Sequence, residues 1–301
     1  MLTLFTVRKF LAVVFVLLVA VAWNCAGVAE ATIVKFDSAL GPINVRLYNS
    51  ATPLTTANFL NYANGGDWVD TFIHRSVPGF VIQGGGFTYP SDAIGAKSVP
   101  QDPAVMNEPG ISNLRGTIAM AKLSGNPNSA TNQWFFNLSN NSANLDGQNG
   151  GFTVFGRVVG SGMTVVDAIA ALPRVNAGSP FDTLPLRNYT SGSIKKENLV
   201  TFSSISVLNF PEGDYDFNGT VNAADLVVYN STFGSTTNAA ADGNGNGVVD
   251  AADYTIWRKT LGQTTGSGMV LGSVPEPATA WLLVLAAGTA CGRRFRTRKT
   301  G

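Results

Sequence analysis

One stretch near the C-terminal end of this chain occurs twice, 28 residues apart, and it constrains the fold more than any other feature of the 301 residues. The first copy reads Gly-Asp-Tyr-Asp-Phe-Asn-Gly-Thr-Val-Asn-Ala-Ala-Asp and ends at Asp225. The second copy reads Ala-Asp-Gly-Asn-Gly-Asn-Gly-Val-Val-Asp-Ala-Ala-Asp and ends at Asp253. A duplication in register indicates a repeated structural unit. It therefore separates a small module, 211–263, from a larger body, 32–210.

Both copies have the ligand spacing of an EF-hand-type calcium loop, with oxygen-bearing residues at positions 1, 3, 5, 9 and 12 and Gly at position 6. A hard cation needs several oxygens around one point, position 7 supplies a backbone carbonyl, and the Gly permits a sharp turn. A single copy would be better explained as an Asn/Asp/Gly-rich turn, but two copies in register favour two bound Ca²⁺ ions. The expected ligands are Asp214, Asp216, Asn218, Thr220, Asn222 and Asp225 in the first loop, and Asp242, Asn244, Asn246, Val248, Asp250 and Asp253 in the second.

A helix is predicted after each loop, because apolar residues recur at helical spacing and each run ends in Gly. The first run is Leu226, Tyr229 and Phe233, and the second is Tyr254, Trp257 and Leu261. Two such loop–helix units resemble a type I dockerin, a family that folds on calcium and docks onto cohesin modules. The resemblance implies a cohesin-like partner, with dimerisation or a role as a stalk as alternatives.

The N-terminal end has the three parts of a secretory signal peptide. Arg8 and Lys9 precede an apolar run, 10–23, and the small residues Ala29 and Ala31 follow it. We expect a signal peptide at 1–31 that is cleaved after Ala31. A retained N-terminal anchor is the alternative, but the apolar run is short for a bilayer span.

The C-terminal end has a similar organisation in reverse. A Gly/Ser/Thr-rich linker, 264–277, ends in Pro-Glu-Pro, an apolar segment predicted as a short helix follows at 278–292, and a basic tail occupies 293–301. These three parts resemble a PEP-CTERM sorting tail, which implies removal by a sorting protease. An ordinary membrane anchor with a cytoplasmic tip is the alternative. We therefore expect an exported protein of the cell envelope or the exterior.

Composition and charge exclude two classes of protein. Hydrophobic residues make up 45% and charged residues 13% of the chain, which is too apolar for a disordered protein. Seven acidic and two basic residues lie between Glu212 and Gly262, so the module is acidic, whereas the body is close to neutral. Without a basic surface, nucleic acid is not an expected partner.

The body reads mainly as β-strands. Residues 32–37 and 43–48 alternate apolar and polar residues around a Leu-Gly-Pro turn, which predicts a hairpin. A helix is predicted to open at Pro53 and to end at Gly65-Gly66, and a second short helix is predicted at 164–172. Short apolar strands separated by Gly, Asn and Pro fill the remainder. The expected fold is mainly β, a closed antiparallel barrel with a helix at each end, followed by the small α-helical module.

Four blocks of the body, in this order, resemble cyclophilin-type peptidyl-prolyl isomerases. They are Phe-Ile-His-Arg-Ser-Val-Pro-Gly-Phe-Val-Ile-Gln-Gly-Gly at 72–85, Gly-Thr-Ile-Ala-Met-Ala-Lys at 116–122, Asn-Ser-Ala-Thr-Asn-Gln-Trp-Phe-Phe-Asn-Leu at 128–138, and Leu-Asp-Gly with Phe-Thr-Val-Phe-Gly at 145–156. The resemblance covers almost all of 32–210 and implies an eight-stranded barrel. It also implies an enzyme that isomerises X–Pro bonds in polypeptide clients and needs no cofactor.

The resemblance also assigns site residues. Arg75, Gln83 and Phe80 are implied as catalytic, with the guanidinium of Arg75 aimed at the prolyl nitrogen. Substrate contacts are implied for Val81, Met120, Ala121, the backbone of Lys122, Gln133, Phe135, Phe152 and His74. Asn144 and Lys122 depart from the family pattern, which predicts modest activity. A module that binds Pro-containing segments without turnover, and a purely structural surface protein, are the alternatives to an enzyme.

Overall fold

The structure is a computed structural model that describes residues 32–208, 210–236 and 240–265. The predicted signal peptide, the apolar segment with its expected helix, the basic tail and most of the linker lie outside the described residues. None of the described helices is long and apolar enough to cross a membrane.

The described residues form twelve β-strands, five α-helices and two short 3-10 segments. The strands are β1 Ile33–Ser38, β2 Gly41–Leu47, β3 Arg75–Val77, β4 Val81–Gly84, β5 Phe87–Thr88, β6 Lys97–Ser98, β7 Thr117–Met120, β8 Trp134–Asn137, β9 Val154–Val159, β10 Arg174–Val175, β11 Leu184–Pro185 and β12 Phe202–Leu208. The α-helices are α1 Pro53–Gly65, α2 Ser142–Leu145, α3 Gly162–Ala170, α4 Ala223–Thr232 and α5 Ala251–Thr260. The 3-10 segments are Gln148–Gly150 and Lys196–Asn198.

Eight of these strands form one antiparallel sheet in the order β12-β1-β2-β9-β7-β8-β4-β3. The predicted hairpin is confirmed, because β1 pairs with β2 and Val34 lies opposite Val45. The sheet is strongly curled, but its edge strands β12 and β3 do not pair within the described residues, so the expected closed barrel is a half-barrel. The edges meet next to these strands, through a bridge between Phe72 and Thr201. Because β3 has only three residues, it offers little edge for further pairing.

The concave side of the sheet holds an aromatic core. Phe36 contacts Trp134, Phe136, Phe59 and Phe202 at ring-centroid distances of 5.0, 5.5, 5.9 and 5.9 Å. Three of these four pairs are edge to face, an arrangement that contributes about 0.5–1.5 kcal/mol per pair beyond burial. This core holds β1, β8, β12 and α1 together.

Helix α1 confirms the helix predicted from Pro53, and α3 confirms the one predicted at 164–172, with both its start and its end two residues earlier. The carboxylate of Glu108 accepts hydrogen bonds from the backbone N–H groups of Leu54 and Thr55 at 3.1 and 2.8 Å. It thereby satisfies two free donors and places a negative charge at the positive end of the helix. Gly66 ends the helix with φ at 73°, the left-handed conformation that Gly adopts without cost.

The module consists of α4 and α5, each preceded by one copy of the repeat, as predicted. Tyr215, Tyr229 and Trp257 form its buried core with Val221 and Val249. The two copies bind each other, because the Tyr215 hydroxyl donates to the Asp253 carbonyl at 2.7 Å and the Trp257 indole donates to the Asn222 carbonyl at 2.8 Å. Of the predicted apolar helix positions, Phe233, Tyr254 and Leu261 are exposed rather than buried.

Candidate active site

The register of four neighbouring strands creates two rows of side chains on opposite faces of the sheet. One row runs across β3, β4, β8 and β7 and contains Arg75, Gln83, Phe135 and Ala119. Because side chains alternate along a strand, the neighbouring row, which contains Ser76, Ile82, Phe136 and Ile118, faces the other way. The second row is fully buried in the core. The first row therefore lies on the outer face, with a cation at one end and apolar groups at the other.

Arg75, Gln83 and Gln133 form a chain of polar contacts along this face. Nη1 of Arg75 lies 3.4 Å from Oε1 of Gln83, and Nε2 of Gln83 donates to Oε1 of Gln133 at 2.9 Å. Burial lowers the pKa of Arg75 below its ordinary value. Gly86 leaves room for this chain, since a Cβ there would lie 2.7 Å from Cδ of Gln133. The expected role of Gln83, to orient Arg75, has its geometric basis here.

An apolar wall lies beside this chain. Val81 and Phe135 belong to one buried cluster, against which Phe80, Ala121 and Phe152 pack. The rings of Phe135 and Phe152 meet edge to face with centroids 5.8 Å apart. Four of the predicted substrate-contacting residues, together with Phe80, which was implied as catalytic, are thus brought together on the same face as Arg75.

Two predicted contacts are not part of this wall. Met120 is fully buried and lies opposite Trp134 in the inner core, so the expectation that it lines the pocket is wrong. The physical reason is strand alternation, because Ala119 and Ala121 flank Met120 and face outward. His74 is 3% exposed, and its ring packs edge to face on Phe87 with centroids 5.0 Å apart. No contact among the described residues supports a substrate role for His74, which stays a prediction.

The Lys122 side chain has a role that the sequence did not reveal. Its Nζ donates to the carbonyl oxygens of Asn149 and Gly151 at 3.0 and 2.5 Å and to Oδ1 of Asn107 at 3.1 Å. The same ammonium lies 4.8 Å from the centre of the Phe152 ring. Lys122 therefore holds the loop before Phe152, and the ring itself, next to the apolar wall.

A chain of hydrogen-bonded, buried Asn side chains supports the backbone of Phe80. The sequence did not predict it. Nδ2 of Asn141 donates to the Phe80 carbonyl at 2.8 Å and to Oδ1 of Asn137 at 2.7 Å. Nδ2 of Asn137 donates to Oδ1 of Asn113 at 3.1 Å, and Nδ2 of Asn113 donates to Oδ1 of Asp146 at 3.0 Å. Asp146 ends this network, which fixes the backbone of Phe80.

The predicted metal ligands in the module also come together. One carboxylate oxygen from each of Asp214, Asp216 and Asp225 lies within 4.8 Å of the other two. Asp214 and Asp225 are almost completely buried. Burial raises the pKa of Asp214 to about 6. In the second loop, the carboxylates of Asp242 and Asp253 accept hydrogen bonds from the backbone N–H groups of Gly247 and Gly243, as the corresponding carboxylates of the first loop do. Buried carboxylates grouped in this way fit a hard cation, which would supply the missing positive charge.

Fold and site together define the class. A curled antiparallel sheet that holds an arginine next to an apolar wall on its outer face is the arrangement of a peptidyl-prolyl isomerase. Residues 33–191 match the family model described as "Cyclophilin type peptidyl-prolyl cis-trans isomerase/CLD". The chain belongs to this family and is a cyclophilin-type peptidyl-prolyl cis-trans isomerase. Residues 212–262 match the model of the dockerin type I domain.

Curated relatives agree with the assignment. Over 192 residues the chain is 38% identical to "Peptidyl-prolyl cis-trans isomerase A" of Dickeya dadantii, covering 62% of this chain and 97% of the relative. Over 150 residues it is 40% identical to "Peptidyl-prolyl cis-trans isomerase" of Acinetobacter baylyi, covering 49% and 76%. Over 155 residues it is 38% identical to "Peptidyl-prolyl cis-trans isomerase B" of Escherichia coli, covering 50% and 90%.

The burial of His74 predicts a pH dependence of stability. Burial, together with the nearby charge of Arg75, lowers the pKa of His74 from 6.5 to about 4. The unfolded chain therefore takes up this proton first as the pH falls. The free energy of unfolding should decrease between pH 6.5 and 4 by about 3 kcal/mol more in the wild type than in His74→Gln. Urea unfolding at several pH values measures this difference, and parallel curves for the two proteins would contradict it.

The Lys122 contacts predict a separable effect on substrate binding. Lys122→Met keeps the apolar stem but removes the ammonium, so the loop before Phe152 loosens. We expect kcat/KM to fall by roughly tenfold, mainly through KM, which corresponds to about 1.4 kcal/mol. Lys122→Arg should retain most of the activity, and Lys195→Met, at an exposed position, serves as the control. A loss confined to kcat would argue against a positioning role.

Proposed function

We propose that this isomerase acts without covalent chemistry, through Arg75. Rotation about an X–Pro bond is slow because the C–N bond has partial double-bond character, with a barrier of about 18–20 kcal/mol. At the top of the barrier the prolyl nitrogen loses its conjugation and becomes basic. A guanidinium aimed at that nitrogen stabilises the twisted form more than the planar one, which is the requirement for catalysis. No bond breaks, so the reaction itself needs no cofactor.

The row of Arg75, Gln83 and Phe135 is the observation that carries this mechanism. It brings a cation, its orienting amide and an apolar surface onto one face of three paired strands. The proline ring would lie against Phe135, Val81 and Phe80, and the backbone of Lys122 would bind the carbonyl before the proline. Clients would be proline-containing polypeptides of the envelope or the exterior.

The mechanism predicts a strong dependence on the guanidinium. Arg75→Ala should lower kcat/KM for a short X–Pro peptide by roughly 100-fold, the effect of losing one preorganised donor. A protease-coupled or NMR exchange assay measures the rate. Arg174→Ala removes a charge from the exposed surface and should leave the rate unchanged. Equal rates for Arg75→Ala and the wild type would eliminate Arg75 as the catalytic group.

We also propose that the module binds two Ca²⁺ ions. The support comes from the three grouped carboxylates in the first loop and from the equivalent hydrogen-bond pattern in the second. Asn222 and Asp250 additionally act as N-caps, since their side chains accept hydrogen bonds from Ala224 and Ala252. Each loop is therefore continuous with the helix that follows it, and an ion in the loop would stabilise that helix.

Calcium titration of the whole chain by calorimetry should show two bound ions. Asp216→Ala and Asn244→Ala remove the position-3 ligand of the first and the second loop, respectively, and each should weaken one site by at least about tenfold. Asp182→Ala, at an exposed position of the body, is the control. If neither the wild type nor the control bound calcium, the module would not be a calcium site.

The match to the dockerin model supports a cohesin-like partner, and the exposed apolar side chains of the module, Val227, Phe233, Tyr254 and Leu261, offer a surface for it. We further propose that the protein is exported through its signal peptide. Its tail is then removed by a sorting protease or retained as an anchor. Both rest on the sequence of the two ends.

A further inference from the structure

Two arginines face each other on the outer side of the sheet, away from the catalytic row. Arg46 of β2 lies directly opposite Arg157 of β9. Like charges directly across two strands are unfavourable, and exposure to water would relieve the repulsion. Instead, Arg46 is 5% and Arg157 is 9% exposed. Another part of the chain must cover this pair.

The calcium module covers Arg46. Nη1 of Arg46 donates to the backbone carbonyl of Asp242, the first residue of the second loop. The Arg46 guanidinium also lies 5.9 Å from the ring centres of both Tyr215 and Phe217, which belong to the first loop. Arg46 thus contacts both loops, and the acidic module faces a cationic pair of the body.

Tyr48 and Gly160 extend this contact along β2 and β9. A Cβ at Gly245 of the second loop would lie 3.3 Å from Cδ1 of Tyr48. A Cβ at Gly160, just after β9, would lie 3.5 Å from Cδ2 of Phe217. The surface formed by Arg46, Tyr48, Arg157 and Gly160 is called the docking face below.

Phe217 shows that this contact carries a conformational cost. It has φ at 59°, a left-handed conformation that is unfavourable for a bulky side chain. The equivalent position of the second loop is Gly245, with φ at 70°. Calcium-loop geometry alone would be better served by Gly at both positions. The Phe217 ring instead packs against Phe210 at 5.9 Å and against the docking face. Strain that persists at one residue indicates a compensating contact.

We propose that the calcium module docks on the docking face of its own isomerase domain and that calcium, by ordering both loops, stabilises this contact, with Arg46 and Phe217 as the anchor pair. The proposal rests on the calcium binding proposed above. Calcium binding and docking are then linked, so that each stabilises the other. The module is a calcium-dependent clasp on the sheet rather than an independent appendage.

Hydrogen exchange followed by mass spectrometry on the whole chain tests the linkage. In the wild type, calcium should slow exchange in the loops, 214–225 and 242–253, and also in the docking-face segments 41–52 and 154–162, there by roughly tenfold. Phe217→Gly gives the first loop the residue that the second loop already has. We expect it to keep the loop response to calcium but to lose the response of the docking-face segments.

Arg46→Gln provides an independent variant, since it changes no residue of the module, and should give the same separation. Arg174→Gln should behave as the wild type, and the segment 71–88 reports whether each variant remains folded. Loops that respond to calcium without any docking-face response in the wild type would overturn the clasp alone. A full docking-face response in both Phe217→Gly and Arg46→Gln would overturn the anchor pair. Loops that ignore calcium would overturn the calcium proposal and the linkage with it.

Discussion

Strand alternation across β3, β4, β8 and β7 is the constraint on which the rest of this structure depends. The inward row is locked by fully buried residues such as Ile82 and Phe136. A slip of one residue in β4 or β8 would put those apolar residues on the outer face and bring Gln83 or Phe135 into the core. Such a slip is very costly because the apolar residues lose their burial. The groove formed by Arg75, Gln83 and the apolar wall therefore inherits its geometry from the core. The strand of Arg75 is already held in register, and its guanidinium contacts Gln83.

The outer face of the sheet is continuous from the groove to the module. Tyr48 belongs to the same apolar cluster as Val81, Ala119 and Phe135. One end of that cluster carries the groove, and the other end lies under the second calcium loop. A module that clasps β2 and β9 therefore packs onto the surface that supports the groove. The chain joins an isomerase domain and a dockerin type I module through a shared surface as well as through the peptide that links them.

The sequence predicted features that repeat or alternate locally. The β1–β2 hairpin, the helix from Pro53 and the two loop–helix units follow from short patterns and were confirmed. The prediction that Met120 lines the pocket was wrong because a run of Thr, Ile, Ala and Met shows no alternation of polar and apolar residues. Only the pairing with Trp134 reveals which way each side chain faces. Glu108 is distant along the chain from the first residues of α1, whose N–H groups it binds. The carbonyls around Lys122 are likewise distant from Lys122, so no local pattern predicts either contact. Closure of the barrel was overestimated for a similar reason, since edge pairing depends on strand length rather than on the alternation of residue types.

The two loops of the repeat show how a duplicated unit acquires different roles. The ligand positions and the helix caps remain equivalent in both copies, because each loop must close in the same way before its helix. Positions 2 and 4 are not ligand positions, and there the copies differ most, with Tyr215 and Phe217 in one and Gly243 and Gly245 in the other. A flexible Gly suits a loop that must let a neighbouring tyrosine ring approach its backbone. A strained Phe suits a loop that inserts a ring beneath an arginine. Gly245 of the second copy lies close to the ring of Tyr48, and Phe217 of the first copy lies beside Arg46. A nearly symmetric module thus binds an asymmetric surface.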